Sequence, residues 1–247
     1  MDTVIMTSSL NLYEKDELGN RFPHQFGNDN GILDMIKSNV KKYDNFLFIA
    51  SAEDKPEATD MYAGVTFESF DLTLPFKNYK VLDGRNADKA RELIKEADFI
   101  YLCGGHLPSQ NAFFNNINLK DIIRDTDALI VGASAGSMNC AGTVYCPPEL
   151  EGESLDPNFQ IYLKGLGFTN INILPHYEKY CDAILDDKRY IEDIVLPDSF
   201  DIEILFIVDG TYIVCRDGKE TIYGLAYRVK DGKIEKVCDV GKSIIWS

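Results

Sequence analysis

Short apolar runs alternate with longer amphipathic stretches through the first 200 residues of the chain. The runs at 3–7, 45–51, 99–103, 128–133 and 171–175 are strand-sized and nearly continuous in apolar character, as strands buried on both faces of a parallel sheet are. Between them, Ile32, Leu33, Ile36 and Val40 recur at helical spacing, as do Ala90, Leu93, Ile94 and Ala97, so each stretch presents one apolar face to a sheet. Asn118 ahead of LKDIIRD reads as an N-cap, and residues 188–195 carry Ile191, Ile194 and Val195 on one helical face. The pattern predicts an α/β fold: a doubly wound, mostly parallel sheet with helices on both faces.

After Pro197 the period changes. The segments EILFIVD, TYIVCRDGKETIYG, LAYRVKDGKIEKV and SIIW are closely spaced and β-rich, and Asp217-Gly218 and Asp231-Gly232 between them are hairpin turn signals. The expectation is one domain over 1–247 whose β-rich C-terminal extension, about 203–247, forms antiparallel hairpins that cap the core. No repeat, low-complexity tract or Gly/Ser linker marks a second unit.

Composition narrows the function. With 45% hydrophobic and 26% charged residues the chain is that of an ordinary globular protein, and a net charge of −15 repels phosphate backbones and anionic lipid, which argues against nucleic-acid or membrane partners. No run approaches the 18 or so apolar residues a membrane helix needs. The opening MDTVIMTSSLNLYEKDE lacks the basic-then-apolar grammar of a secretory signal, so a soluble, cytoplasmic protein is expected. The six cysteines have no C-x-x-C spacing, which suggests reduced thiols with neither a metal nor a disulfide framework, and no cofactor is expected.

The chemistry is carried by LIVGASAGSMNCAGT, in which Gly132, Ala133, Ser134, Ala135 and Gly136 form G-x-S-x-G directly after an apolar run. That context is a nucleophile elbow: a sharp strand-to-helix turn that lifts the Ser134 hydroxyl out of the sheet and leaves unpaired N–H groups at the helix start. The backbone N–H of Ala135 is then the first oxyanion donor. The competing account, a Gly/Ser turn that cradles a phosphate, lacks the lysine of a P-loop and the spacing of G-x-G-x-x-G.

A serine hydroxyl needs a base, and only His24, His106 and His176 exist to serve. His176, in INILPHYEKY, follows an apolar strand whose end converges with the elbow and is the best candidate. His106 follows Gly104-Gly105 in IYLCGGHLPSQ. Those glycines suit a second oxyanion donor, Gly105 with Gly104 as fallback, and leave His106 to contact substrate. His24 reads as a solvated or capping residue. For the acid that orients His176 the residues leave two choices open: Glu178, in an H-x-E spacing, and Asp209, at the end of ILFIV.

At these residues the chain resembles the peptidase E (aspartyl dipeptidase) and cyanophycinase family, which has a class I glutamine amidotransferase-like fold and uses serine. The carriers, from about residue 45 to 214, are YLCGGH, GASAGSM, LPHY and IVDGTYIV. The family's order of triad members implies Ser134, His176 and Asp209, preferring Asp209 over Glu178. It departs from the family after Gly-Gly, where His106, Leu107 and Pro108 stand, and the acidic loop 146–157 has no placed counterpart. Basic residues after the family's histidine make Arg189 the candidate partner for a substrate carboxylate. The resemblance implies a dipeptidase or aminopeptidase cutting short peptides, with an acidic N-terminal residue, and is compatible with a homo-oligomer. The alternatives are an esterase or amidase on a non-peptide, and a non-catalytic binding protein on the same scaffold.

Overall fold

The computed structural model describes residues 3–246; positions 1, 2 and 247 of the expected domain lie outside the described residues. Its centre is an eight-stranded sheet in the order Ser243–Ile245, Lys219–Tyr223, Tyr212–Arg216, Val4–Thr7, Leu129–Ala133, Phe99–Leu102, Asn45–Ile49, Asn78–Leu82. The last five of these are mutually parallel; Tyr212–Arg216 pairs antiparallel with Val4–Thr7, and Lys219–Tyr223 and Ser243–Ile245 follow by successive antiparallel pairings. This is the α/β doubly wound arrangement, with helices on both faces.

Strand side chains alternate between two cores. Val4, Met6, Leu47, Ile49, Ile100, Leu102 and Ile130 face one, while Ile5, Phe46, Phe48, Phe99, Tyr101, Leu129 and Val131 face the other. Burial of both sets is why these runs read as continuous apolar sequence. In the second core, Phe46 meets Phe70, Phe76 and Phe99 at ring-centroid distances of 4.8, 5.4 and 4.8 Å. Such pairs each add about 0.5–1.5 kcal/mol beyond the area they bury.

Two sequence-based expectations are corrected. The run at 171–175 does not join the central sheet. Its strand Asn172–Leu174 pairs parallel with Ile204–Ile207 in a separate four-stranded sheet, continued antiparallel by Ala226–Lys230 and Lys233–Cys238. The central position beside Val4–Thr7 is taken instead by Tyr212–Arg216. The C-terminal extension is therefore not a separate cap, because its strands are divided between the two sheets. Its turns are as expected: Asp217-Gly218 and Asp231-Gly232 have φ of 51° and 72°, and 51° and 70°, the two positive values a tight hairpin requires.

The helix Pro56–Thr73 and the edge strand Asn78–Leu82 are additions to the pattern read from sequence. Asn118 does precede the helix Leu119–Ile122, but its amide donates to the Asp121 carboxylate at 2.9 Å instead of accepting a backbone N–H. All six cysteines are free, and among the described residues no helix is long and apolar enough to cross a membrane.

Candidate active site

Ser134 sits between the strand Leu129–Ala133 and the short helix Ala135–Met138. Its backbone is held at φ 52° and ψ −120°, a conformation that L-residues adopt only under constraint from their surroundings. The constraint is visible in the hydrogen bonds: Ser134 N–H donates to the Thr7 carbonyl at 3.0 Å, and the Ser134 carbonyl accepts from Ser137 and Met138. Gly136 allows the turn to close. A Cβ there would stand 2.1 Å from the Leu102 carbonyl oxygen, so the helix start lies directly against the neighbouring strand. Gly136→Ala should accordingly destabilise the fold by about 3 kcal/mol in urea unfolding. Gly64→Ala is the control: it lies in a helix interior with nothing within 4 Å of the new Cβ, and it should be neutral or stabilising by up to about 1 kcal/mol.

His176 stands just past Asn172–Leu174, in the left-handed region at φ 58°, where the chain turns into Tyr177–Tyr180. Its Nε2 is 3.1 Å from Ser134 Oγ, and its Nδ1 is 2.6 Å from Asp209 Oδ1. Both side chains are largely enclosed, His176 19% and Asp209 22% exposed. Burial pushes the Asp209 carboxyl up. Hydrogen bonds from the His176 ring and the Ser8 hydroxyl, with the Lys179 charge, outweigh that and hold it well below the usual carboxylate range. Asp209 is thus an ionised acceptor that favours a proton on Nδ1 and leaves Nε2 to face the serine.

Three neighbours brace this arrangement, and the sequence reading missed two of them. Ser8 is buried, donates to Asp209 Oδ1 at 2.7 Å and accepts the His176 backbone N–H at 2.8 Å. Lys179 Nζ lies 3.3 Å from Asp209 Oδ2 and 3.1 Å from His176 Nδ1. Glu178, weighed as the orienting acid, turns to the backbone instead, its Oε1 accepting the Asp209 N–H at 3.1 Å. A serine after the first strand and a lysine three residues past a histidine carry no motif: the pairing of Val4–Thr7 with Leu129–Ala133 and Tyr212–Arg216 brings Ser8 here, and the turn after His176 brings Lys179.

Ala135 is the first residue of its helix, so its N–H has no carbonyl one turn back. Gly105 offers the second N–H, which donates to no protein acceptor among the described residues. A Cβ on Gly105 would stand 2.4 Å from Ser51, so only glycine lets this backbone pass so close. Gly104 backs onto Ser134, whose Cβ would be 3.1 Å from a Cβ placed there.

These groups open into a cleft of about 520 Å³ lined by Ser8, Leu10, Leu12, Tyr13, Tyr62 and Tyr101 among others. Cys103 also lines it, but burial pushes its thiol up to about 12, which keeps it protonated and unreactive at neutral pH. Arg189 is not brought to the cleft: its guanidinium is held one turn on by Asp193, at 2.7 Å, and is exposed. His106 does not line it either. Its Nδ1 meets Ser109 Oγ at 2.8 Å and its Nε2 meets Glu153 Oε1 at 2.8 Å, and it borders a smaller cavity of about 140 Å³ that shares Phe48, Ser51, Tyr62 and Cys103 with the cleft. His24 does not line the cleft, and its Nδ1 lies against the Gln25 carbonyl at 2.8 Å.

The acidic loop 146–157 is pinned in the same way. Burial pushes Glu153 up, but N–H groups of Leu150 and Glu149 and the His106 ring hold its carboxyl below its ordinary value. Asp186 accepts from Gly152 and Ser154 N–H at 2.7 and 3.1 Å. Among the described residues no group of three or more His, Cys, Asp or Glu side chains could hold a metal ion.

A serine, histidine and carboxylate in hydrogen-bonded sequence, on a strand-to-helix elbow of a doubly wound sheet, define the class of α/β proteins built around an activated serine. Within that class the chain belongs to Peptidase family S51, whose model matches residues 19–223. It is a serine peptidase. No curated protein matches it. Its fold is shared with a protein from Listeria monocytogenes EGD-e assigned to peptidase E: the crystal structure matches with a TM-score of 0.57 and 16% identity, over 96% of this chain and 100% of that one.

Proposed function

We propose that the chain is a peptidase E-like dipeptidase or aminopeptidase acting on short peptides, with Ser134 as nucleophile, His176 as general base and acid, and Asp209 as the group that orients the imidazole. The observation that supports this best is the unbroken relay from Ser134 Oγ through the His176 ring to Asp209 Oδ1, at 3.1 and 2.6 Å. Ser134 Oγ attacks the scissile carbonyl as Nε2 takes its proton; Nε2 returns that proton to the leaving amine, and water then releases the acyl group by the same path. The developing oxyanion is met by the N–H groups of Ala135 and Gly105. Donors of this kind each contribute about 3–4 kcal/mol of transition-state stabilisation.

The test combines labelling with turnover. A fluorophosphonate probe should modify Ser134 of the wild type and leave Ser134→Ala unlabelled. A dipeptide panel with acidic, neutral and basic first residues should then show amide hydrolysis that is absent from Ser134→Ala. Labelling without hydrolysis of any peptide, accompanied by turnover of simple esters, would replace the peptidase reading by the esterase one.

A further inference from the structure

The cavity of about 140 Å³ that His106 borders is a side branch of the cleft. The two spaces share Phe48, Ser51, Tyr62 and Cys103, and their junction lies beside the nucleophile. A Cβ on Gly104 would stand 3.1 Å from that of Ser134, and one on Gly105 would stand 2.4 Å from that of Ser51, so the chain passes from the serine to the cavity wall in two residues. Phe48, Ala52 and Cys103 are buried; with Ala58 and the Tyr62 ring they make the wall mostly apolar. The wall is also fixed before anything enters. Arg21 holds Tyr62, its guanidinium 4.3 Å above the ring centroid and donating to the hydroxyl at 2.6 Å. Both ring nitrogens of His106 are engaged, by Ser109 and Glu153, and the Cys103 thiol is hydrogen-bonded with Ser51. A preformed pocket of this kind needs little ordering when it is filled.

During attack by Ser134 the carbonyl oxygen turns to the N–H groups of Ala135 and Gly105, and the leaving amine faces His176, whose Nε2 delivers its proton. The carbon bearing the side chain of the acyl residue lies on the other side of the carbonyl from that amine, toward the contact of Gly105 with Ser51. We infer that this cavity receives the side chain of the residue whose carbonyl Ser134 attacks, and that it selects leucine or phenylalanine there. The inference rests on the peptidase reading of the site. An apolar cavity of about 150 Å³ holds a benzene ring, so the volume suits a phenyl or isobutyl group. The acidic first residue that the family resemblance implies is poorly served. Lys55 is the only lining residue of fixed charge, and it is exposed to water where the helix Pro56–Thr73 begins, so its attraction is screened. The remaining polar groups of the wall are the neutral hydroxyls of Ser51, Thr59 and Ser109 beside the engaged His106 ring. A carboxylate placed among them gives up its hydration without gaining a buried charged partner.

The experiment measures kcat/KM for Phe-Ala, Leu-Ala, Ala-Ala and Asp-Ala with the wild type, Ala58→Phe and Lys55→Met. The wild type should prefer Phe-Ala and Leu-Ala to Ala-Ala by about 100-fold, the scale on which an apolar pocket discriminates, and Asp-Ala should fall below Ala-Ala. Ala58→Phe fills the cavity from the exposed first turn of its helix and should bring the ratio of Phe-Ala to Ala-Ala close to one. Lys55→Met should keep the wild-type ranking. A wild type that treats Phe-Ala and Ala-Ala alike overturns the inference even where Ala58→Phe fails to fold, and a folded Ala58→Phe that keeps the preference overturns it as well. Asp-Ala as the best substrate, with that rank lost in Lys55→Met, would make the cavity a carboxylate receptor and overturn it too. Fluorophosphonate labelling of the same preparations separates the failures. An unlabelled wild type that cleaves no dipeptide overturns the peptidase reading and this inference with it, whereas a labelled wild type that hydrolyses dipeptides without regard to the first side chain overturns this inference alone.

Discussion

Ser134→Ala should lower kcat for peptide hydrolysis by roughly a million-fold, His176→Ala by about as much, and the double variant should be scarcely worse than either. The expectation follows from the relay geometry. With His176 Nε2 3.1 Å from Ser134 Oγ, the hydroxyl is nucleophilic only while the imidazole takes its proton, so removing either member removes the same step. What survives is the contribution of the cleft and of the Ala135 and Gly105 N–H groups, about 10³–10⁴-fold over water. Single-turnover kinetics on the three variants check this, with urea unfolding to confirm that all remain folded. Losses that multiply in the double variant would mean that serine and histidine act independently.

How much of this was legible in sequence depends on what each element buries. Runs such as FLFI and LIVGA were legible because both faces of a parallel strand are apolar. The helix Pro56–Thr73 was not, since Thr59, Ala63, Thr66 and Ser69 form most of its buried side and leave little apolar period. The edge strand Asn78–Leu82 has only Leu82 fully buried and reads as polar chain. The run at 171–175 reads as a strand but not as a member of a second sheet, because pairing is decided by which edge is free and no local pattern records that. At the site, Ser134 and Gly136 announced themselves because close approach forces glycine and an elbow has a fixed spacing. Ser8 and Lys179 reach Asp209 across 201 and 30 positions, a proximity that no local pattern records. Arg189 shows the converse: a plausible residue type in a plausible place, committed by local spacing to Asp193.

Asp209→Asn should lower kcat by about 10³–10⁴-fold while Glu178→Gln retains most of the activity. An asparagine at 209 can present its NH₂ to Nδ1, which then becomes the acceptor and puts the proton on Nε2, the wrong nitrogen for a base. It also removes the charge that stabilises the imidazolium formed during attack. Glutamine at 178 still carries a carbonyl oxygen to accept the Asp209 N–H, now accepted at 3.1 Å, so the loop holding Asp209 keeps its place. Linkage gives an independent readout. Because the folded-state pKa of Asp209 is depressed, its contribution to stability is fully present above the ordinary carboxylate value and is lost as pH falls through the lower, folded value. Asp209→Asn should therefore flatten the acid limb of stability against pH, measured by urea unfolding from about pH 5 downward, whereas Glu178→Gln should leave that limb in place. A Glu178→Gln enzyme as inactive as Ser134→Ala, beside an active Asp209→Asn, would transfer the orienting role to the H-x-E glutamate and show that the relay at 2.6 Å is not the one used in turnover.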